Sequence, residues 1–215
     1  IEQELRNAMP EREVATLPTM VEVAADDPAF TDPVKPIGPV YNSQEMARLR
    51  KAHDWEFKVD SDGFRRVVPS PEPVRILEIG SIATLVGHGV LTVCAGGGGV
   101  PVVRHTVGGI SGVEAVIDKD LSAALLARNL DADRLLMLTD VDCVYLDWGG
   151  SKAKPLTSAT TDEIQPQEFE RGTMAPKVDA ACRFVEGTGG AAGIGKLSDA
   201  AAILAGKAGT TIRSG

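Results

Sequence analysis

The residues best suited to chemistry in this chain are lysines and aspartates set beside glycine-rich turns. Gly96-Gly97-Gly98-Gly99 follows an apolar, β-branched run over residues 90–95. Such a run reads as a buried strand of a parallel sheet. Glycines at its carboxyl end permit φ > 0 and let a ligand approach the main chain. In open α/β sheets ligands bind in that crevice, and backbone amides there can cradle a phosphate. Val116-Ile117-Asp118-Lys119-Asp120 predicts a strand running into a helix capped by Asp118. Lys119 and Asp120 then stand at the mouth of the sheet, where a lysine oriented by a carboxylate suits a phosphate contact. Arg171-Gly172-Thr173-Met174-Ala175-Pro176-Lys177 puts Lys177 in the first turn of a helix. A cation there opposes the macrodipole, and an anion at the helix terminus would account for it. Thr139-Asp140-Val141-Asp142 ends another buried strand with two acids, open to a cap, a ribose contact or a place near a metal.

Gly190-Ala191-Ala192-Gly193-Ile194-Gly195-Lys196 matches the opening positions of a Walker A loop. The next residue should be Ser or Thr and is Leu197, and the segment before it, Pro176–Val185, reads as a helix rather than the required strand. The match is therefore read as a coincidence. A dinucleotide-type Gly-x-Gly-x-x-Gly also fails around Gly96, because its last position is Pro101.

The elements that must position these residues alternate. A helix is expected over Glu2–Ala8, and an apolar stretch over Glu13–Ala24 is divided by Pro18. Pro28, Pro33, Pro36 and Pro39 stiffen the next segment and fix the backbone around Lys35. A helix capped by Ser43 runs over Ser43–His53, and Phe57–Val68 reads as a hairpin turning at Asp62-Gly63. Pro69-Ser70-Pro71-Glu72-Pro73 closes this excursion, so residues 28–73 form a small inserted unit of the kind used for lids. Then come a helix over Ile76–His88 stopped by Gly89, a loop over 104–112 and a short strand over Gly112–Asp118. Lys119–Leu130 reads as an amphipathic helix with Leu121, Leu125, Leu126 and Leu130 on its apolar face. Strands over Arg134–Thr139 and Cys143–Leu146, helices over Thr160–Phe169 and Pro176–Val185, a strand over Ala191–Ile194, a helix over Ser198–Leu204 and a strand over Gly209–Ile212 complete the chain. That alternation predicts an α/β fold around a mainly parallel open sheet.

At 215 residues there is enough chain for one or two domains with a sizeable core. A net charge of −8 argues against a general nucleic-acid binder. The sequence has no apolar run of transmembrane length and no signal peptide. Cys94, Cys143 and Cys182 lie among apolar neighbours without metal-ligand spacing, which reads as buried thiols in a reducing, cytoplasmic setting. His53, His88 and His105 form no zinc pattern, and no metal-ligating residues are assigned. The chain opens on Ile1 inside a predicted helix, from which further sequence upstream is expected.

Taken in order, several motifs together resemble carbamate kinase, a branch of the amino acid kinase superfamily. They are Lys35-Pro36-Ile37-Gly38-Pro39, Arg65-Arg66-Val67-Val68-Pro69-Ser70-Pro71, Cys94 through Val102, Gly112 through Asp120, Met174-Ala175-Pro176-Lys177 and Gly206-Lys207-Ala208-Gly209-Thr210-Thr211. The resemblance implies a three-layer αβα sandwich, a homodimer, and reversible magnesium-dependent phosphoryl transfer between ATP and carbamate. It implies an acceptor lobe over residues 1–103 carrying a lid over 28–73, and a nucleotide lobe over 104–215. Lys35 would reach the transferring phosphoryl group from the lid. Lys119 and Lys177 would neutralise ATP phosphates, and Asp120 would orient them. Gly96–Gly99 would hold substrate phosphate. Thr139, Asp140, Tyr145, Met174 and Pro176 would serve the nucleotide.

The family's amino-terminal Gly-Gly-Asn and His-Gly-Asn-Gly segments, which hold carbamate and the transferring phosphate, have no counterpart here. Gly195-Lys196-Leu197 also stands where the family has Gly-Ser-Leu or Thr-Ser-Leu. The competing readings are a nucleotide-binding module without catalysis, a relative with another small-acid acceptor, and a P-loop NTPase built on Gly190–Lys196.

Overall fold

The computed structural model describes residues 1–60, 62–148, 150, 153–165, 169 and 174–215. The first part of the chain forms α1 (Glu2–Ala8), β1 (Val14–Thr16) and β2 (Met20–Val23), with Pro18 dividing the two strands. The inserted unit follows as β3 (Lys35–Tyr41), α2 (Ser43–His53), β4 (Glu56–Asp60) and β5 (Gly63–Val68). Next come β6 (Pro73–Ile76), α3 (Ile79–Gly87), β7 (Leu91–Val93), β8 (Val100–Arg104) and β9 (Ile110–Gly112). The remainder is α4 (Lys119–Asn129), β10 (Arg134–Thr139), β11 (Val144–Leu146), β12 (Lys154–Leu156), β13 (Ser158–Thr160), α5 (Ala175–Thr188), β14 (Ala191–Lys196), α6 (Ala200–Leu204) and β15 (Thr210–Arg213).

This is the expected α/β architecture, with mixed sheets. β1 pairs with β7 in parallel. A four-stranded sheet runs β6-β2-β8-β9, parallel at β2–β8 and antiparallel at both edges. A second runs β10-β14-β15-β13, parallel at β10–β14 and β13–β15 and antiparallel between β14 and β15. The inserted unit carries its own antiparallel sheet, β3-β5-β4, with α2 beside it.

Two cores hold these layers. Val21, Val23, Ile76, Ile82, Val103 and Ile117 pack around the first sheet. Val144, Val178, Phe184, Val185, Ile194 and Ile212 centre the second. α4 lies between them. Leu121 packs on the second core, while Leu125, Leu126 and Leu130 pack on the first. The expected single leucine face is thus corrected. The buried positions are Asp120, Ser122, Ala124 and Ala127; Ala124 and Ala127 lie in the second core, where α4 packs against α5 and small side chains allow the approach.

Other expectations are revised by local physics. Asn42, not Ser43, caps α2: its side chain accepts from the Gln44 and Glu45 amides, and Glu45 answers in a capping box. Ile76 closes a strand, and the helix after it begins only at Ile79. The loop expected over 104–112 is a hairpin, because Gly108 and Gly109 take positive φ and let β9 return onto β8. The strand expected over Gly112–Asp118 does not form beyond Gly112; residues 113–118 run as an irregular strap that bends at Glu114 and has no ladder partner. Thr160 ends a strand, and residues 161–163 are a turn rather than the start of a helix. Residues 166–168 of that expected helix lie outside the described residues. So do residues 171–173 ahead of α5.

Candidate active site

The glycine run leaves β7 through Ala95, whose own φ is +59°, and its buried amide donates to Thr19 Oγ1 at 2.8 Å. Gly98 adopts φ +129°, and a Cβ there would collide with the Ile117 carbonyl oxygen. Only glycine lets the loop press against the strap. Ser122 Oγ, in the first turns of α4, donates to Gly98 O at 2.8 Å and ties loop to helix. The result is a cleft of about 530 Å³ whose walls include Thr16, Thr19, Cys94, Gly96, Gly97 and Ile117.

Two carboxylates stand at the amino terminus of α4. Asp118 caps it, as expected, with Oδ1 accepting from the Asp120 amide at 2.9 Å. Its other oxygen accepts from Lys35 Nζ at 2.6 Å. That lysine arrives from the inserted unit, 83 residues away in sequence. Burial pushes the Asp118 carboxyl up, but the Lys35 ammonium and the amides of Asp120 and Leu121 outweigh it and hold the pKa below the ordinary value. Asp120 is buried and accepts from Lys177 Nζ at 2.8 Å. Lys119 Nζ lies 3.5 Å from the same oxygen, with its side chain largely in solvent. Lys177 therefore has its anion: a carboxylate from α4 faces the first turn of α5 and offsets the unfavourable placement.

Lys35, Lys119, Asp120 and Lys177 are thus brought together at the amino terminus of α4, which Ser122 ties to Gly98. The partner that sequence reasoning left out is Asp118, read there only as a cap. Its capping position was legible, but its hold on Lys35 depends on the tertiary fold.

The residues assigned to the nucleotide lie at the end of β10, on β11 and at the start of α5. Thr139 ends β10 half-buried and donates to Asp140 Oδ1 at 3.0 Å; Asp140 is exposed. Tyr145 lies on β11 and donates to both Asp142 carboxylate oxygens at 3.1 Å. That bond and the loss of hydration push its hydroxyl up to about 12. The Trp148 ring lies beside it, with centroids 5.1 Å apart. Thr210, fully buried, receives the Val144 amide and donates to Leu156 O, so it fixes the β11–β12 hairpin to the second sheet. Met174 and Pro176 open α5, half-buried. Among the described residues, no hydrogen bond or ion pair joins Tyr145 to the lysine cluster.

The Walker-like segment is overturned as a phosphate loop. From Ala191 to Lys196 it is β14, between β10 and β15, with its amides committed to ladders. All three thiols are free, and burial pushes each one up, Cys182 to about 11, which disfavours a thiolate nucleophile. No helix among the described residues is long and apolar enough to cross a membrane.

Comparison with known proteins identifies the family and the fold. Residues 3–194 match the amino acid kinase family. The chain is 49% identical over 213 residues to the carbamate kinase of Haemophilus influenzae, covering 99% of this chain and 69% of that protein. It is 45% identical over 217 residues to that of Rhizobium meliloti, covering 100% and 67%. The solved structure of Giardia lamblia carbamate kinase bound to AMP-PNP superposes with a TM-score of 0.89 at 38% identity, over 100% of this chain and 71% of that one. The chain belongs to the amino acid kinase family, on its carbamate kinase branch.

Proposed function

We propose that this protein catalyses reversible phosphoryl transfer between ATP and carbamate, and that in catabolism it makes ATP from ADP and carbamoyl phosphate. The observation that carries this is the pair of carboxylates at α4, two residues apart, each holding a lysine from a different part of the fold. Phosphoryl transfer asks little covalent chemistry of a protein; it asks for positioning and positive charge. Lys35, on the inserted unit, acts as the lid lysine and follows the transferring group. Lys119 and Lys177 neutralise the nucleotide phosphates, with Asp120 orienting both. Each ammonium aimed at developing charge is worth roughly 3–4 kcal/mol. Gly96–Gly99 offers amides to the small phosphorylated substrate. The hairpin bearing Tyr145, with Thr139, Asp140, Met174 and Pro176, serves the nucleoside.

Magnesium enters with the nucleotide. Among the described residues no three His, Cys, Asp or Glu groups cluster to hold a metal, and Asp118 and Asp120 are committed to lysines. Mg²⁺ is commonly held by substrate phosphates with few protein ligands, which fits that donor set. A homodimer in the cytoplasm completes the reading, supported by the family and by the three free thiols.

The test is ATP formation from MgADP and carbamoyl phosphate, read by luciferase, with isothermal titration of MgADP alongside. ATP that appears only with both substrates present is expected. A folded sample that neither binds MgADP nor makes ATP would overturn the proposal.

A further inference from the structure

The strap over residues 113–118 has two neighbours. On one side the Ile117 carbonyl packs against Gly98 of the glycine loop. On the other side it receives the inserted unit. The Val116 amide donates to Pro69 O at 2.9 Å, Lys35 reaches Asp118, and Arg66 pairs with Glu114. The two cations that the inserted unit sends down thus land four residues apart on one strap.

Arg66 is built to stay in place. It lies on β5, the middle strand of β3-β5-β4, paired with Ile37 on one side and Phe57 on the other. Its guanidinium carbon stands 4.0 Å from the centroid of the Trp55 ring, and Trp55 is itself stacked on His53 at 4.6 Å. The Arg66 side chain is only 18% exposed, while that of Glu114 is 76% exposed. A planar guanidinium pressed on an indole keeps its direction, so little is lost when it takes a carboxylate. Glu114, on a segment with no ladder of its own, is the partner that can let go.

We propose that Glu114 is a positioning residue. Its ion pair with Arg66 docks the inserted unit on the strap, and thereby sets where Lys35 and the Gly98 face of the glycine loop stand during phosphoryl transfer. Glu114 touches neither substrate. The kinetic consequence rests on the phosphoryl-transfer reading, whereas the docking itself does not.

The experiment is a double-mutant cycle of Glu114→Gln and Arg66→Met, the latter keeping contact with Trp55. Three quantities are read: kcat for ATP formation, MgADP affinity, and hydrogen–deuterium exchange at the Val116 amide. Each single variant is expected to lower kcat roughly three- to tenfold and to accelerate Val116 exchange by a similar factor, the scale for an ion pair backed by an aromatic ring. MgADP affinity is expected to stay within about twofold. The double variant is expected to lose no more than either single one, since both remove the same contact. Unchanged exchange and kcat in Glu114→Gln would overturn the proposal, and so would strictly additive losses. If even the wild-type protein made no ATP, the phosphoryl-transfer reading would fall, and the exchange data would still decide the docking.

Discussion

Gly96–Gly99 is the turn that carries the chain from β7 to β8, whereas Gly190–Lys196 is, from Ala191 onward, the strand β14. In the first segment Gly96, Gly98 and Gly99 all take positive φ, and the missing Cβ lets backbone bend beside the strap and open a cleft. In the second, the missing Cβ makes room for packing. A Cβ on Gly193 would stand 2.5 Å from Ile203 Cγ2, and one on Gly195 2.7 Å from Asp142 O. The charges around them differ as well. Lys35, Asp118, Asp120 and Lys177 converge at the amino terminus of α4, which Ser122 ties to Gly98 of the first segment. Lys196 ends the second, exposed, with no ion pair among the described residues. Glycine content alone therefore does not distinguish a turn from a packed strand.

Lys177→Ala strikes that difference hardest. It leaves Asp120 buried with only the solvent-exposed Lys119 at 3.5 Å. Breaking a buried pair from one side costs about 3–5 kcal/mol, because the remaining charge has lost its partner. A matching fall in the urea midpoint is expected, together with weaker MgADP binding if Lys177 holds the nucleotide in the ground state as proposed. An unchanged midpoint would mean that Asp120 does not depend on Lys177, and the cluster would lose its distinction.

What could be read in advance divides along the same line. Lys177 was legible because a cation in the first turn of a helix breaks a local rule, and a local rule needs no tertiary knowledge. The end of β7 and the division of β1 from β2 at Pro18 follow from equally local causes. Asp118 looked complete as a cap, and nothing within a few residues of it announces a lysine 83 positions away. The leucines of α4 suggested one apolar face, but the helix is shared between two cores, so the face against α5 is built from small residues instead. The strap over 113–118 has the composition of a strand, but its backbone bonds to Pro101 O and Pro69 O are isolated and build no ladder. These misses concern partners that only the fold supplies, whereas the cap of α2 is a local misreading, Asn42 and Ser43 being adjacent residues that both suit a cap.

Lys35→Ala probes the same cluster from the inserted unit. The Lys35–Asp118 pair is partly open, with side-chain exposures of 31% and 10%, against 10% and 11% for Lys177–Asp120. In the proposed mechanism Lys35 leaves Asp118 for the phosphoryl group, and its more open pair suits that role better than the buried Lys177–Asp120 pair does. The variant is expected to lower kcat by roughly 10²–10³, the scale for one transition-state donor. MgADP affinity should hardly change. Near wild-type kcat would reduce the inserted unit to a structural addition.

Lys196→Ala is the smallest change and tests the other segment. Lys196 is the last residue of β14, opposite Thr139 in the parallel ladder, so its backbone is fixed by the sheet. Its ammonium has no carboxylate to orient it among the described residues, and the glycines before it face Ile203 and the Asp142 carbonyl. A phosphate loop needs free amides pointing at one spot; a strand paired on both sides has spent them. Removing the side chain should therefore leave MgADP affinity within about twofold, well under 1 kcal/mol. Isothermal titration decides it: a hundredfold loss would show that nucleotide phosphate rests on Gly190–Lys196 after all, and the contrast between the two segments would be reversed.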